Sequence, residues 1–523
     1  MFFALDKFVD KKINIFLEAK MKKLTKQFLC LFLVIGMLVC MVACGGTEET
    51  SSEAESVGDV SGTTSVEQNS EYLVDGVYTP KLGVLDKYKD MEFSVLVPGE
   101  GQGTYQSDDF TTTPGSGGID YGDAYYEVVE ARNDLVEEKY GVTLTVYKED
   151  DSLSKAREDA TAGTYLYDAL VMSVGSMATL AQDGHLCELN SLENFDVDAP
   201  WWDASANEAY SINNKLYFTT GDITIMNKAN VWSILFNKQM ITDNSLENPY
   251  KLVDEGKWTF DKMIEMAKQV NTATSASDWQ DPTVTYGMVT AYGDIFQFFG
   301  GSGLTLCVKD TSDTPEFVFG SEESITITQH VLEEMNGAAW KIYAQDCTGG
   351  TNVWTDSFAL FNDGRALFRP SGFTAVTKCR FQASMEFGIL PMPKMSDTQD
   401  GYYTITSGSF VAGILKNCED PEFSAYMLDA YAAGAKQLIT PAYIDVNLKW
   451  KSLRDEESQE ILEYIFDHIV YDSGLVYNFG NVSGMFQTLA QNATTDVASS
   501  LDGIRDQILT QIDQVVTDYE SDM

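Results

Sequence analysis

Apolar runs of strand length alternate with amphipathic stretches of helical spacing from about residue 90 onward. The helical stretches repeat their apolar residues every three or four positions, and the strand-like runs are continuous or strictly alternating. A β-α-β-α-β order predicts a parallel sheet, with functional groups in the loops at the carboxyl ends of its strands. Those loops are Gly99–Tyr105 and Ser173–Ser176. The predicted elements are strands at 91–98, 142–146 and 167–173, a helix at 121–140 and a further short helix.

A second α/β series begins after Lys238. Its first helix, at 257–270, has Thr259 as a candidate N-cap and a single apolar face. The pair Asp420-Pro421 predicts the start of another helix, with the aspartate as N-cap and proline in the first turn. The other predicted elements are strands at 286–291, 366–369, 387–392 and 409–415, and helices at 294–301, 324–339, 355–362, 459–471, 482–492 and from Val497 onward.

The stretch Tyr210–Lys238 joins the two series. Two strand-like apolar runs, Leu216–Thr220 and Val231–Phe236, flank a polar segment that extends from Gly221 to Asn230. Taken alone, this pattern predicts a pair of core strands connected by a polar loop.

A basic and then strongly apolar segment precedes the folded part. Three lysines after Met21 are followed by an apolar run at Phe28–Val42, which is shorter than a membrane span and typical of an export signal. The run ends in Met-Val-Ala-Cys and resembles a bacterial lipobox, whose cysteine, here Cys44, is lipidated. We therefore expect a signal peptide at 1–43, with 1–20 as an upstream extension, and a lipid-anchored chain on the extracellular face of the membrane.

The residues after Cys44 are rich in Ser, Thr, Glu and Gly and contain no lysine or arginine before Lys81. Such a composition cannot bury enough apolar surface to order the backbone. We predict a flexible tether at 44–87 between the lipid and the folded part.

The chain carries 79 acidic and 35 basic residues, a net charge of −44, which argues against nucleic-acid binding. Five cysteines follow the lipid site, none in a C-x-x-C pair, and the chain has only three histidines, so no metal site is expected. The cysteine count leaves one or two disulfides open, with no pairing readable from the sequence. No cofactor is predicted.

Seven segments in order resemble the sugar-binding family of extracellular solute-binding proteins, which includes maltose-binding protein. The most informative are the "Asn/Asp-Gly-Lys-Leu-Tyr" hairpin, with Asn214 in place of glycine, and the "Tyr-Asn-Lys" crossover strand, here Phe236-Asn237-Lys238. Each segment is weak alone, but their order covers nearly the whole folded part. The segments are YDALVMSVGSMATLAQDGHLCEL, SINNKLYFTT, VWSILFNKQM, GKWTFDKM, FNDGRALFRPSGF, FGILPMP and GSFVAGILKNCEDPEFSAYMLDAY.

The resemblance implies an α/β, two-lobed, periplasmic-binding-protein-like fold of type II, with two α/β lobes joined by a hinge of crossing strands. It places lobe 1 at 88–228 and 411–447, and lobe 2 at 232–408 and 450–523. Tyr210–Lys238 then becomes the first crossover between the lobes. The expected partners are a carbohydrate, two permease subunits of an ABC transporter and, through them, an ATPase, since this chain has no G-x-x-x-x-G-K-[ST] run. The protein itself is expected to be a monomer and not an enzyme.

A sugar presents apolar faces to aromatic rings and hydroxyls to polar side chains, so the resemblance also nominates a ligand site. Asp222→Ala or Asn230→Ala is expected to weaken binding with little change in melting temperature. The candidate ligand-binding residues are Ser173, Ser176, Asp222, Asn230, Gln297, Phe298, Phe373, Tyr477 and Phe479.

Two other function classes stay open at this stage. A binder of a non-sugar solute, such as a peptide, would use the same fold with a backbone-pairing surface that sequence does not reveal. A secreted glycoside hydrolase would need a carboxylate pair at catalytic separation, and nothing in the spacing of the acids nominates one.

Overall fold

A computed structural model describes residues 70–112, 115, 118–406, 408–450, 452–453 and 455–520. The predicted signal peptide, Cys44 and most of the predicted tether lie outside the described residues. Within these ranges, no helix is both long and apolar enough to cross a membrane.

Two five-stranded sheets dominate the structure. Their strands are short and rich in β-branched and aromatic residues, as expected for strands that are covered on both faces. The strands are Leu73–Val74 (β1), Val77–Tyr78 (β2), Glu92–Pro98 (β3), Thr143–Glu149 (β4), Ala169–Ser173 (β5), Phe218–Thr219 (β6), Trp232–Asn237 (β7), Tyr286–Thr290 (β8), Cys307–Lys309 (β9), Pro315–Phe317 (β10), Lys341–Tyr343 (β11), Ala366–Gly372 (β12), Phe387–Leu390 (β13), Thr404–Thr406 (β14), Phe410–Gly413 (β15) and Ile469–Tyr471 (β16).

The first sheet has the order β4-β3-β5-β15-β6. Strands β4, β3 and β5 are parallel, as the β-α-β-α-β pattern predicted, and β15 returns antiparallel to β5 from far along the chain. Phe93, Val95 and Leu96 of β3 are completely buried, because helices cover both faces of the sheet.

The second sheet has the order β11-β8-β12-β7-β13. Strands β11, β8 and β12 are parallel, whereas β7 runs antiparallel to both β12 and β13. The amino end of β7 therefore lies beside the carboxyl end of β12, with Trp232 opposite Gly372.

Helices pack against both sheets, and several begin at the predicted caps. The Thr259 side chain accepts a hydrogen bond from the Lys262 amide, and Asp420 accepts one from the Phe423 amide, which confirms both caps. The helices are Asp123–Tyr140, Ser152–Ala162, Val174–Gln182, Ala204–Tyr210, Met226–Ala229, Lys238–Asp243, Pro249–Asp254, Phe260–Val270, Asp294–Gly300, Glu322–Met335, Val353–Asn362, Phe373–Gln382, Pro421–Pro441, Glu456–Asp467, Ser473–Val476, Val482–Gln491 and Val497–Glu520, and Ala442–Trp450 is a π-helix.

The predicted helix at 459–471 is too long. The helix ends at Asp467, and Ile469–Tyr471 instead forms β16, which pairs in parallel with Thr404–Thr406. Two β-branched residues favour the extended form there, and the partner strand lies more than 60 residues away in sequence.

The chain crosses between the two sheets along three segments, which connect β6 to β7, β13 to β15, and β15 to the C-terminal helices. The structure thus consists of two α/β lobes joined by crossing strands, with one five-stranded sheet in each. The residue boundaries given for the lobes stay predictions.

The described residues contain no disulfide, although the cysteine count had left one or two open. Each of the five cysteines there is a free thiol, and each is buried. Burial among apolar side chains is the usual environment of an unpaired cysteine. These residues are Cys187, Cys307, Cys347, Cys379 and Cys418.

A buried carboxylate organises the core of lobe 1. Asp429, on the helix Pro421–Pro441, accepts hydrogen bonds at Oδ1 from the indole nitrogens of Trp201 at 2.9 Å and Trp202 at 2.8 Å. Its Oδ2 accepts a third bond from the Asp196 amide at 2.9 Å. Burial raises the pKa of Asp429 to about 7, because the charged form loses its hydration.

Asp429→Asn should destabilise the protein. An amide has a single acceptor oxygen, so either the two indoles or the Asp196 amide would face an NH₂ group, at a cost of about 1–3 kcal/mol in the free energy of unfolding. Urea denaturation followed by tryptophan fluorescence measures this loss.

The same variant should also change the pH dependence of stability. The folded pKa of Asp429 lies above the model value of 3.8, so the folded protein takes up the proton first. The stability that comes from this proton is complete below about pH 4 and is lost as pH rises through about 7. The advantage of the wild type over Asp429→Asn should therefore be larger at pH 5 than at pH 8, and an equal difference at both would contradict the shifted pKa.

Candidate functional site

Two of the predicted polar residues lie side by side at the carboxyl end of β5. The Ser173 hydroxyl caps the helix Val174–Gln182 by accepting from the Ser176 amide at 3.3 Å, and it donates to the Ser176 hydroxyl at 2.9 Å. Both side chains are partly exposed. The Val174 amide donates to the Ser409 carbonyl at 2.7 Å, which brings the segment before β15 to the same edge.

Asn230 connects this edge to the other sheet. Its Nδ2 donates to the Ser409 hydroxyl at 2.5 Å, while its backbone lies against the end of β12. A Cβ atom on Gly372 would lie 3.2 Å from the Ala229 carbonyl oxygen and 3.3 Å from the Asn230 Cα, so a larger residue would push the crossover backbone away by a few tenths of an ångström. Ser173, Ser176, Asn230 and Ser409 together form what we call the polar seam, which ends at the junction of the two sheets.

Trp232 and Asp294 form the matching edge of lobe 2. The indole nitrogen of the partly exposed Trp232 donates to Asp294 Oδ1 at 3.3 Å. Asp294 Oδ2 accepts from the Thr290 hydroxyl and the Ala291 amide, both at 2.8 Å, at the end of β8. Burial raises the pKa of Asp294 above its usual value, and these donors oppose that shift.

Gln297 lies one turn after Asp294 on the helix Asp294–Gly300 and is partly exposed. Its buried Oε1 atom has no hydrogen-bond partner within the described part of the chain. An unpaired buried carbonyl is costly, so a donor from elsewhere would stabilise it.

The crossover itself is fastened to lobe 1 by Asp109. This buried carboxylate accepts from the Thr224 hydroxyl at 2.7 Å and the Ile225 amide at 2.8 Å. The Ser107 hydroxyl donates to it at 3.2 Å, and an Arg132 guanidinium nitrogen donates to its backbone carbonyl. Burial raises the pKa of Asp109, and the donors from the crossover act in the opposite direction.

Asp222 also faces lobe 1. Its Oδ1 accepts from the Thr440 hydroxyl at 2.6 Å, and its Oδ2 lies 3.4 Å from the Lys436 ammonium. Both carboxylate oxygens are thus engaged by the C-terminal part of the helix Pro421–Pro441. The Asp222 side chain is only 10% exposed. Ligand contact through Asp222 stays a prediction, and this geometry gives it no support.

The four predicted aromatic residues lie in contact with other protein side chains. Phe298 packs edge-on against Phe260, with ring centroids 5.1 Å apart, and Phe373 packs against Phe466 at 5.3 Å. All four are buried, so a ligand would reach their faces only after these contacts separated, and their stacking role stays a prediction.

Tyr477 and Phe479 form a third buried pair. Their rings stack with centroids 5.5 Å apart, and the Tyr477 hydroxyl donates to the Tyr210 carbonyl at 3.0 Å. A further hydrogen bond of 2.8 Å joins the hydroxyls of Tyr477 and Tyr519. The Tyr477 hydroxyl therefore connects the C-terminal helix Val497–Glu520 to the helix Ala204–Tyr210.

Sequence reasoning missed several residues near the junction. Ser409 and Asp109 carry no motif, and they matter only because distant segments meet around them. Trp232 could have been found, since an aromatic residue at the amino end of an antiparallel crossover strand lies at the sheet edge. Partly or fully exposed aromatic residues on lobe 2 also include Phe358 and Trp354, the latter 53% exposed.

Among the described residues, no group of three or more His, Cys, Asp or Glu is arranged to hold a metal ion. A shallow groove of about 600 Å³ is lined by residues such as Ser302, Glu322 and Gln399, none of which belongs to the polar seam.

Asp222→Ala should lower the free energy of unfolding by about 1–3 kcal/mol, because it leaves the Lys436 ammonium and the Thr440 hydroxyl without their acceptor. Thr440→Val removes only the hydroxyl and should cost about 1 kcal/mol. Urea denaturation of both variants measures these losses. An unchanged midpoint for Asp222→Ala would show that the carboxylate contributes nothing to the fold and is free for another role.

Comparison with solved structures identifies the fold. A substrate-binding protein of an ABC transporter from Listeria monocytogenes, solved with cycloalternan, is 15% identical, with 81% of this chain and 100% of that chain covered and a TM-score of 0.52. RafE from Streptococcus pneumoniae, in its apo form, is 14% identical, with 80% and 97% covered and a TM-score of 0.53. A cyclo/maltodextrin-binding protein solved with maltotetraose is 14% identical, with 80% and 97% covered and a TM-score of 0.52.

No protein-family model and no curated protein sequence matches the chain. At these low identities the likeness shows the fold and not the ligand. The chain therefore has the two-lobed, periplasmic-binding-protein-like fold, in which two α/β lobes are joined by crossing strands.

Proposed function

We propose that this protein captures a carbohydrate, of oligosaccharide size, between its two lobes and delivers it to the permease of an ABC transporter. The observation that carries the proposal is the polar seam, which runs from the sheet edge of lobe 1 to the crossover and ends against lobe 2 at Gly372. A concave site between lobes, with a few convergent polar groups, is where this fold is expected to bind small molecules.

The chemistry of the seam suits hydroxyl groups. Serine hydroxyls both donate and accept, and the carboxamide of Asn230 offers a donor and an acceptor on one side chain. A sugar ring also needs an apolar surface for its C–H face, and the partly exposed indole of Trp232 lies on the next strand. Three of the proteins with this fold were solved with cycloalternan, maltotetraose or raffinose, which supports a sugar as the ligand class.

Capture would proceed by closure of the lobes. A ligand that contacts both lobes stabilises the closed arrangement by its differential affinity, and the equilibrium moves toward that state. Asn230 is well placed to couple the two events, because its side chain bonds Ser409 while its backbone lies against β12. Catalysis is not part of this proposal.

The lobe boundaries, the lipid anchor and the transporter partners belong to the same proposal. Lobe 1 comprises 88–228 and 411–447, and lobe 2 comprises 232–408 and 450–523. Lipidation at Cys44 holds the protein at the extracellular face of the bacterial membrane. As a monomer it meets two permease subunits, which an ATPase drives.

Isothermal titration of residues 45–523 against raffinose, maltotetraose and cycloalternan tests the ligand class. We expect saturable binding of an oligosaccharide in the range of about 1 μM, equivalent to about −8 kcal/mol. Binding of a peptide library with no response to any sugar would contradict the proposal, as would measured turnover of a glycan.

Asn230→Ala should weaken sugar binding about fivefold, because loss of one hydrogen-bonding group costs about 1 kcal/mol. Its melting temperature should stay close to that of the wild type, since the side chain is partly exposed. Asn244→Ala is the matched control, because Asn244 is exposed at the end of the helix Lys238–Asp243 and bonds only its own helix. Equal affinity in both variants would remove Asn230 from the site.

A further inference from the structure

Arg369 and Lys378 are two of several lobe 2 cations that form no ion pair among the described residues. Arg369 lies on β12 and Lys378 on the following helix, Phe373–Gln382. Neither forms an ion pair within the described residues, and each is affected by other charges only at longer range. Lys341, Arg365 and Lys394 also form no ion pair among the described residues, but Arg369 differs from them in having a buried side-chain nitrogen without a hydrogen-bond partner.

The Arg369 guanidinium is held in place by protein contacts, but not all of its N–H groups have a hydrogen-bond acceptor. Its Nη1 donates to the Ser357 carbonyl at 3.1 Å, and its Cζ lies 4.6 Å from the centre of the Phe358 ring. The Nε atom is buried and has no hydrogen-bond partner among the described residues. A desolvated guanidinium with an unpaired N–H is costly unless an acceptor completes it.

Lys378 shares this environment. Burial lowers the pKa of its ammonium, and the positive charge of Arg369 lowers it further. The side chain nevertheless remains partly exposed, so a ligand has access to it. The two positive charges oppose each other, so an anion bound within reach of both would stabilise both.

Arg369 lies on β12, whose carboxyl end meets the polar seam at Gly372. Side chains alternate along a strand, so Arg369 and the partly exposed Ser371 project from the same face of β12. Gly372, the next residue, lies against Asn230, and three residues of strand span about 10 Å. Asp294, which acts on Arg369 at longer range, is the acceptor for Trp232.

We propose that Arg369 and Lys378 form a subsite for a carboxylate on the ligand, so that the captured glycan is acidic and contains uronic acid residues. This inference rests on the proposed function and names its substrate class. A guanidinium presents parallel N–H donors that match the two oxygens of a carboxylate, and an adjacent ammonium adds a point charge.

The test uses isothermal titration of residues 45–523 with three probes of equal length: trigalacturonic acid, its fully methyl-esterified form and maltotriose. The acid should bind at least about tenfold more tightly than its neutral ester, because charge-assisted hydrogen bonds are the stronger ones. Its affinity should also fall as sodium chloride rises from 50 to 500 mM, whereas that of a neutral sugar should not.

Arg369→Gln and Lys378→Gln should each remove most of the preference for the acid over the neutral probes. Lys394→Gln is the matched control, because Lys394 lies over the Tyr402 ring at 4.9 Å and is not part of the subsite. If Arg369→Gln unfolds through loss of the Ser357 contact, as its melting curve would show, the partly exposed Lys378 still decides the question.

The outcomes separate the two proposals. Binding of maltotriose or the ester at least as tight as that of the acid, or an unchanged preference in Lys378→Gln, would overturn the acidic subsite while leaving carbohydrate capture in place. Absence of binding to every glycan, neutral or acidic, would overturn the proposed function itself.

Discussion

The buried carboxylate of Asp109 is the interaction on which the rest of the arrangement depends. It binds the Thr224 hydroxyl and the Ile225 amide, and so fixes where the chain leaves the first sheet. From that point only a single short helix, Met226–Ala229, separates lobe 1 from β7. The position of Asn230, and through it the contact with Ser409 and Gly372, follows from this attachment. The free-energy cost of burying the Asp109 carboxylate is offset by its hydrogen bonds to Thr224 and Ile225, and these bonds also fix the position of the junction.

Local signals were enough to predict most of the helices and strands. The caps at Thr259 and Asp420 depend only on residues within one turn, and so they could be recognised from the sequence alone. The strand Ile469–Tyr471 could not be recognised in this way, because its partner is Thr404–Thr406. Disulfides were likewise open from cysteine spacing, which carries no information on which thiols meet.

The same contrast between local signals and contacts of distant segments applies to the candidate site. Ser173 and Ser176 were nominated by their place after a strand and Asn230 by resemblance, and the structure brings all three together with Ser409. Phe298 and Phe373 were nominated by resemblance, but whether a phenylalanine faces a cleft or a core depends on neighbours far away in sequence. Arg369 was missed for the complementary reason, since a lone arginine in a strand gives no local sign of lacking a partner.

The five buried thiols have a consequence for the chemistry of the folded chain. Burial raises the pKa of Cys187 to about 11 and those of Cys347, Cys379 and Cys418 to about 12, and it raises that of Cys307 further still. Thiol–disulfide exchange requires the thiolate, whose fraction at neutral pH is negligible at such values. In the native state these five thiols therefore react only slowly in thiol–disulfide exchange, because burial both limits access to the sulfur and suppresses the thiolate.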